Sequence, residues 1–196
     1  KYKGGYRSWW GFETLPEVNE ENPSYVEFIT GEGGVIDTWL RRGAAGFRLD
    51  VAAALPDDFI EKIRAAVKRV SPEKFLLGEV WEDATTKYGL GQRRTSLLGK
   101  GLDSVMNYPF KNAVLDFVKG KPAEQAMGEI LSICEHYPAP AMDTALNFLS
   151  THDPERALTV IADEPANGRG REWQSGRCVT GEAYEEGMLR LRMAYA

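Results

Sequence analysis

Three acidic residues each follow an apolar segment that is typical of a buried β-strand. Asp50 comes after one such segment with Arg48 two positions before it, so the two side chains share one face of an extended strand. Glu79 lies near the end of another segment, and His152 and Asp153 lie just past the last one. Taken singly, each feature also has a structural interpretation: an ion pair, a helix cap or a hydrogen-bonded turn. At successive strand ends, however, all of these side chains would meet at one edge of the sheet. Carboxylates that meet repel one another, which is costly unless the protein uses them in a reaction.

Converging carboxylates next to an arginine are suited to retaining hydrolysis of a glycosidic bond. That reaction needs an ionised nucleophile and a protonated acid roughly 5–5.5 Å apart. Neighbouring strands lie about 4.8 Å apart, so inward carboxyl groups on them can reach this separation. We expect Arg48 to hold Asp50 ionised, and Glu79, on a more apolar strand, to stay protonated. His152 and Asp153 are expected to hydrogen-bond sugar hydroxyls.

The hydrophobic periodicity predicts parallel strands connected by helices. Apolar runs alternate with helical patterns of about 10–15 residues, which is typical of βαβ units with a sheet covered on both faces. The predicted strands are 46–51, 75–80, 102–107 and 145–149. The predicted helices are 22–43 with an interruption at 31–34, 55–70, 110–118, about 122–136 and 182–196, after a loop at 1–21. A doubly wound sheet and a (β/α)8 barrel both fit, but no glycine-rich phosphate motif of the first follows any strand.

The composition is typical of a folded protein with enough apolar material for a sizeable core. Of 196 residues, 43% are hydrophobic and 27% are charged, and the formal net charge is −5. A mildly acidic chain without a basic cluster argues against nucleic acid or an anionic membrane as the main partner. No apolar run approaches the roughly 20 residues of a membrane span. Cys134 and Cys178 are too few for a disulfide scaffold and lack the spacing of metal ligands.

Several stretches of the chain carry a family resemblance. The stretches GFRLDVA (46–52), GEVW (78–81) and FLSTHD (148–153) resemble, in order, the second, third and fourth conserved stretches of the α-amylase superfamily, glycoside hydrolase family 13. WWGFETLPEVN (9–19) and LDSVMNYPF (102–110) resemble the branch of neopullulanases, cyclomaltodextrinases and amylopullulanases. One short match would be weak, whereas three in order with matching strand–helix spacing are specific. The resemblance covers nearly the whole chain.

The resemblance implies an α/β fold, namely part of a (β/α)8 TIM barrel that acts on α-glucans such as starch, pullulan and maltooligosaccharides. A complete barrel of this kind needs about 250 residues or more. Residues 1–196 are therefore expected to be part of a single catalytic barrel domain, about its fourth to seventh strand–helix units. The first strands, the eighth strand and the C-terminal β-domain are not recognised, and the 196 residues are expected to be inactive alone.

The resemblance also implies a role for each candidate site residue. Asp50 would be the nucleophile and Glu79 the general acid and base. Asp153 would stabilise the transition state by binding hydroxyls of the distorted sugar. Arg48 and His152 would belong to the subsite in which the bond breaks.

Other residues near the motifs have weaker claims. Trp81, directly after the acid, is a candidate for binding substrate by stacking on a sugar ring. Trp10 is expected to pack against the barrel wall, and Cys134 to lie in the core on an apolar helix face. Ala53 and Ala54 stand where many relatives carry polar or acidic residues facing the leaving-group sugar, which leaves the preferred acceptor open.

The leading hypothesis is a retaining α-glucan hydrolase, and its closest rival is a transglycosylase or branching enzyme of the same family. A non-catalytic relative acting as a binding or transporter subunit is disfavoured by the retained carboxylates, and another barrel chemistry by the lack of metal or phosphate motifs.

We expect no cofactor and no metal site here, although relatives that bind calcium often use other parts of the protein. The expected partner is an α-glucan or maltooligosaccharide, with no nucleic acid and no membrane. Oligomeric state is open, and so is the compartment, with the cytoplasm slightly favoured.

Overall fold

The computed structural model describes residues 4–162 and 168–196. The helices are α1 (Pro23–Thr30), α2 (Val35–Arg41), α3 (Asp57–Val70), α4 (Tyr108–Val118), α5 (Ala123–His136), α6 (Ala139–Asp143), α7 (Ala157–Ala162), α8 (Arg171–Ser175) and α9 (Gly181–Tyr195). The strands are β1 (Gly46–Leu49), β2 (Phe75–Gly78), β3 (Tyr88–Gly89), β4 (Gln92–Arg93) and β5 (Ser104–Val105). Short 3₁₀ turns cover Trp9–Gly11 and Ala52–Ala54. Within the described ranges, no helix combines the length and the apolar character needed to cross a bilayer.

The strands β1, β2 and β5 form a parallel sheet in that order, as the periodicity predicted. Gly46 lies opposite Phe75, Leu49 lies opposite Gly78, and Gly78 also lies opposite Val105. The helix α3 connects β1 to β2, whereas the antiparallel hairpin β3–β4 occupies the connection from β2 to β5. The predicted helices include none for this second connection, and the structure places the hairpin there. Its sequence lacks a repeated apolar face, so it has nothing to bury as a helix.

The fourth predicted strand, 145–149, is reduced to a single bridge between Leu146 and Met106. Leu146 N–H donates to Val105 O at 3.1 Å, and Asn107 N–H donates to Leu146 O at 2.9 Å. The segment thus runs parallel to β5 in the predicted place. The ladder stops because the chain enters α4 directly after Asn107, so Met106 is the last residue that can pair beyond β5.

The two faces of the sheet contact different apolar clusters. Leu76 and Val105 pack on the outer side with buried residues of α3 such as Ile60. Leu77 lies on the other side, in a smaller inner cluster. The inner cluster consists of Leu77, Met106, Tyr108, Phe75 and Phe148. A parallel sheet with helices outside and large side chains inside is the arrangement that a (β/α)8 barrel requires.

The longer helices lie where the sequence predicted them. Asn22 caps α1 by accepting a hydrogen bond from Ser24 N–H at 3.0 Å, and 31–34 separates α1 from α2. The helices α6, α7 and α8 were not predicted because five or six residues are too few to show a period of 3.6.

The prediction that Cys134 lies in the core is wrong: it is exposed, and the neighbouring Ile133 faces the core instead.

A buried ion pair joins the hairpin segment to the connection after β1. The side chains of Arg94 and Asp57 are almost fully buried, and Arg94 donates to Asp57 Oδ1 from Nε at 3.0 Å and from Nη2 at 2.6 Å. Arg94 also donates to the carbonyl oxygens of Ala53 and Leu55. Burial opposes ionisation of Asp57, but the hydrogen bonds from Arg94 and Thr95 outweigh it and hold the pKa of Asp57 below its ordinary value. The pair therefore fixes the loop that follows β1.

Removing this arginine is expected to destabilise the fold strongly. Arg94→Ala leaves the Asp57 carboxylate buried without its cation, which typically lowers the free energy of unfolding by about 3–5 kcal/mol. Arg93→Ala is the matched control, because the side chain of Arg93 is exposed and donates to Thr85 O, so its loss should cost about 1 kcal/mol or less. Guanidinium denaturation measures both values. Equal losses for the two variants would contradict the structural role of the pair.

Candidate active site

One guanidinium group contacts all three of the acids singled out in the sequence. Arg48 lies on the inner side of β1, with Nε 3.4 Å from Met106 Sδ. Its Nη1 forms an ion pair with Asp50 Oδ1, and its Nη2 lies 3.2 Å from Glu79 Oε1 and 3.9 Å from Asp153 Oδ2. The structure thus brings these four side chains together. Arg48 stands at their centre rather than beside Asp50 alone, as the sequence had suggested.

Glu79 is the most enclosed of the three acids. Its side chain is 7% exposed, against 75% for Asp50 and 38% for Asp153. Val51 N–H donates to Oε2 of Glu79 and Trp81 Nε1–H donates to Oε1, each at 2.8 Å. Because both carboxyl oxygens accept a hydrogen bond, the orientation of the carboxyl group is fixed from two sides.

The turn after β1 opens Asp50 to the solvent. Val51 has φ +48° and ψ 38°, a left-handed conformation that is a genuine outlier for a β-branched residue. Such a backbone conformation costs about 1–3 kcal/mol and persists only where its surroundings enforce it. Here the same turn aims Val51 N–H at the buried carboxyl of Glu79, and this hydrogen bond offsets part of that cost. The turn thereby separates an exposed acid from a buried one.

Asp153 and His152 lie at the rim of the site. Asp153 N–H donates to Thr151 Oγ1 at 3.3 Å, which orders the turn after the bridge. His152 is exposed, with Nε2 3.5 Å from Asp153 Oδ2. His152 therefore reaches the acidic group through Asp153, and it stands outside the set of residues that line the cleft.

An open cleft of about 660 Å³ lies over the acids. Asp50, Glu79 and Asp153 line it from below. The rest of the lining is aromatic or small and apolar, with one ion pair on the rim: Trp10, Val51, Ala53, Ala54, Trp81, Glu82 and Lys87. Apolar and aromatic walls around a few polar groups suit a ligand with both kinds of surface, such as a sugar.

Trp81 has a second contact besides the cleft. Its ring is stacked on that of Tyr108, with centroids 4.6 Å apart and an angle of 13° between the planes. Tyr108 is fully buried and meets Phe148 edge to face at 4.8 Å. Burial raises the pKa of Tyr108, and the charges of Glu79 and Asp153 act in the same direction. The aromatic stack ties Trp81 to the inner cluster.

The structure corrects the expectation for Trp10. Trp10 does not pack against the barrel wall: it is 68% exposed and lines the cleft. Its φ of +49° turns the chain within the 3₁₀ turn, and Phe12 N–H closes that turn on Trp9 O at 2.9 Å. The signal in the sequence was Gly11 directly after a tryptophan pair, which favours a turn over packing.

The acidic residues of the cleft do not fit a calcium site. Within residues 4–162 and 168–196, no cluster of three or more His, Cys, Asp or Glu side chains is arranged to hold a metal ion. The acids of the cleft share Arg48 as their cation, and a second positive charge at the same place would be repelled.

Comparison with known proteins identifies the family. The family model for the α-amylase catalytic domain matches residues 4–175. The chain belongs to the α-amylase family. Over 86% of its length it is 35% identical to the amylopullulanase of Thermoanaerobacter thermohydrosulfuricus, and over 76% it is 36% identical to a cyclomaltodextrinase of Bacillus sp. The predicted resemblance to this α-amylase branch is confirmed.

A solved structure agrees with the sequence relatives. The cyclic α-maltosyl-(1→6)-maltose hydrolase of Arthrobacter globiformis matches 81% of this chain with a TM-score of 0.71 and 28% identity. The α-amylase catalytic domain is a (β/α)8 barrel, so this α/β chain is part of such a barrel, as predicted. The chain spans 13% of the amylopullulanase, 25% of the cyclomaltodextrinase and 34% of the Arthrobacter enzyme.

Proposed function

We propose that this α-amylase chain is part of the catalytic barrel of a retaining α-glucan hydrolase. The observation that carries the proposal is the contact of Arg48 with Asp50, Glu79 and Asp153 beneath an open cleft. One exposed and one buried carboxyl group border the same space, which suits the nucleophile and the acid of the retaining reaction. The names of the relatives, amylopullulanase and cyclomaltodextrinase, favour an α-glucan or maltooligosaccharide as the substrate.

In the first proposed step, an oxygen of Asp50 attacks the anomeric carbon while the glycosidic bond breaks. Glu79 gives its proton to the departing oxygen, so the leaving sugar departs as an alcohol. Arg48 forms an ion pair with Asp50 and so holds its carboxylate in place before the attack. Asp153 binds hydroxyls of the distorted sugar and, with His152 at the rim, favours the oxocarbenium-like transition state.

In the second step, water replaces the bond to Asp50. Glu79, now ionised, takes a proton from the water as its oxygen attacks the anomeric carbon. Asp50 leaves as a carboxylate, and Glu79 is again protonated for the next cycle. Two inversions return the product to the α configuration.

The proposal includes the domain organisation. We assign residues 1–196 to a single catalytic domain, of which they form about the fourth to seventh strand–helix units. The three paired strands and the bridge at Leu146 support this count, and so does the limited share of each relative that the chain matches. The remaining strands would complete the barrel, and a C-terminal β-domain would accompany it, in a longer protein that is called the complete enzyme below.

The 196 residues alone are expected to hydrolyse no α-glucan at a measurable rate, whereas the complete enzyme does. The reason is that the sheet is open beyond the bridge at Leu146, so a sugar would meet only part of its site. Proton NMR of maltooligosaccharide hydrolysis measures both the rate and the configuration of the first product. Robust turnover by the 196 residues would contradict the proposed domain organisation, and a β-anomer as first product would contradict the retaining mechanism.

A transglycosylase of the same family is the second candidate. The cleft has an apolar wall made by Trp10, Ala53, Ala54 and Trp81. After the first sugar has left, such a wall favours binding of a second sugar over water as the acceptor. Both enzymes would use the same intermediate on Asp50. Product analysis with and without added maltose separates them, because longer products in its presence indicate transfer to the sugar.

A further inference from the structure

The hydrogen bond from the Trp81 indole to Glu79 is not explained by sugar binding. Trp81 follows Glu79 by two residues, and its Nε1–H donates to Oε1 at 2.8 Å. The same oxygen lies 3.2 Å from Arg48 Nη2. The other oxygen accepts from Val51 N–H at 2.8 Å. The indole is thus one of the three groups that determine where the carboxyl group of Glu79 points.

The indole is itself held in place from inside the barrel. Its ring is parallel to that of buried Tyr108 within 13°, at 4.6 Å between centroids. Tyr108 in turn meets Phe148 edge to face at 4.8 Å. Because Tyr108 and Phe148 belong to the inner cluster, the direction of the indole N–H is set by core packing. One face of the Trp81 ring is covered by this stack.

We propose that Trp81 is a positioning residue for Glu79, whose proton-donating carboxyl it orients through the indole N–H. Without that donor, Arg48 is the remaining side chain on Oε1, and the carboxyl group would turn towards it and away from the scissile oxygen. This inference rests on the proposed function, because it requires Glu79 to be the general acid. It assigns the Tyr108–Trp81 stack to catalysis rather than to substrate affinity.

Trp81→Phe separates positioning from stacking on sugar. Phenylalanine keeps an aromatic ring on Tyr108 and in the cleft, but it has no N–H to donate. If Trp81 only binds sugar, the variant should raise KM with little change in kcat. If Trp81 positions the acid, kcat should fall while KM stays nearly constant.

The dependence on the leaving group provides the sharper readout. Maltooligosaccharides release a sugar alkoxide that needs the proton of Glu79, whereas a 2,4-dinitrophenyl maltooligoside releases a phenolate that does not. General acid catalysis contributes about 10²–10⁴-fold, so misplacing the acid should lower kcat on maltooligosaccharides by about 10–100-fold. The first-step burst of dinitrophenolate should stay within about threefold of wild type, since that step needs no proton from Glu79, whereas steady-state turnover also depends on Glu79 as the base of the second step.

The experiment compares four forms of the complete enzyme on both substrates: wild type, Trp81→Phe, Glu79→Gln and the double variant. We expect Trp81→Phe to lower kcat on maltooligosaccharides and to leave the dinitrophenolate burst unchanged, with no further loss when it is added to Glu79→Gln. Trp39→Phe is the matched control, because Trp39 is exposed on α2, packs against Arg42 and should affect neither substrate.

Four outcomes would each contradict one of the two proposals. Equal losses in the maltooligosaccharide rate and in the dinitrophenolate burst, or full activity of Trp81→Phe, would overturn the positioning role and leave the proposed function standing. Additive losses in the double variant would also overturn it, because independent effects add. A Glu79→Gln enzyme as active as wild type on maltooligosaccharides would contradict the proposed function itself.

Discussion

Asp50→Asn in the complete enzyme is expected to lower kcat on maltooligosaccharides by about four orders of magnitude or more, as loss of a catalytic nucleophile does elsewhere. An amide carries no charge and cannot form the glycosyl ester of the first step. The substitution preserves the size of the side chain, and Asp50 is exposed with Arg48 as its ion-pair partner. The loss should therefore come from chemistry and not from unfolding.

Asp58→Asn is the control for this variant. Asp58 is exposed at the start of α3, outside the cleft lining, and is expected to change neither activity nor fold. Circular dichroism and thermal denaturation should be the same for both variants and for wild type. Activity of Asp50→Asn above about a tenth of wild type would contradict the role of Asp50 as nucleophile.

Glu79→Gln is expected to have the second largest effect, a loss of about 10²–10⁴-fold on maltooligosaccharides. Glutamine can still accept at one oxygen from Val51 N–H or Trp81 Nε1–H, but it has no proton to give to the leaving oxygen. With a dinitrophenyl maltooligoside, the first step should survive and the second should slow, because water has lost its base. A burst of phenolate followed by slow turnover is the expected time course.

Azide tests this assignment further. Azide is an anion that attacks without a general base, so it should raise the turnover of Glu79→Gln on the activated substrate and form an α-glycosyl azide. Glu124→Gln, at the exposed start of α5, is the control and should behave as wild type. A Glu79→Gln enzyme without a burst and without azide acceleration would exclude Glu79 as the acid and base.

The sequence was sufficient to predict which face of a regular strand or helix is buried. Alternation along β1 put Arg48 and Asp50 on one face, and the structure places Arg48 on the inner side of the sheet with Phe47 and Leu49 against the outer cluster. The period of α3 predicted its buried face in the same way. In both cases one face of a regular element must be buried, so sequence spacing determines direction.

The features that depend on a single backbone conformation or on a distant partner could not be predicted. Trp10 is exposed in the cleft because of its own positive φ; Gly11 after it indicated a turn, but no pattern in the sequence indicated that the turn places the ring in the cleft. The reduction of the strand at 145–149 depends on the short length of β5, its partner. Trp81 follows β2 and Tyr108 follows β5, so the two rings come into contact only when these strands pair in the folded sheet.

The central claim is that Asp50 forms a covalent bond to the sugar while Glu79 serves as acid and base. A 5-fluoro-α-maltosyl fluoride should trap this intermediate in the complete enzyme. The ring fluorine slows both steps by destabilising their oxocarbenium-like transition states, whereas fluoride as a good leaving group keeps the first step fast enough for the intermediate to accumulate. After acid quench and trypsin digestion, mass spectrometry should find the sugar on peptide 49–62, with fragmentation placing it on Asp50. A sugar attached to Glu79 or Asp153, or an active enzyme that never carries the label, would contradict the account.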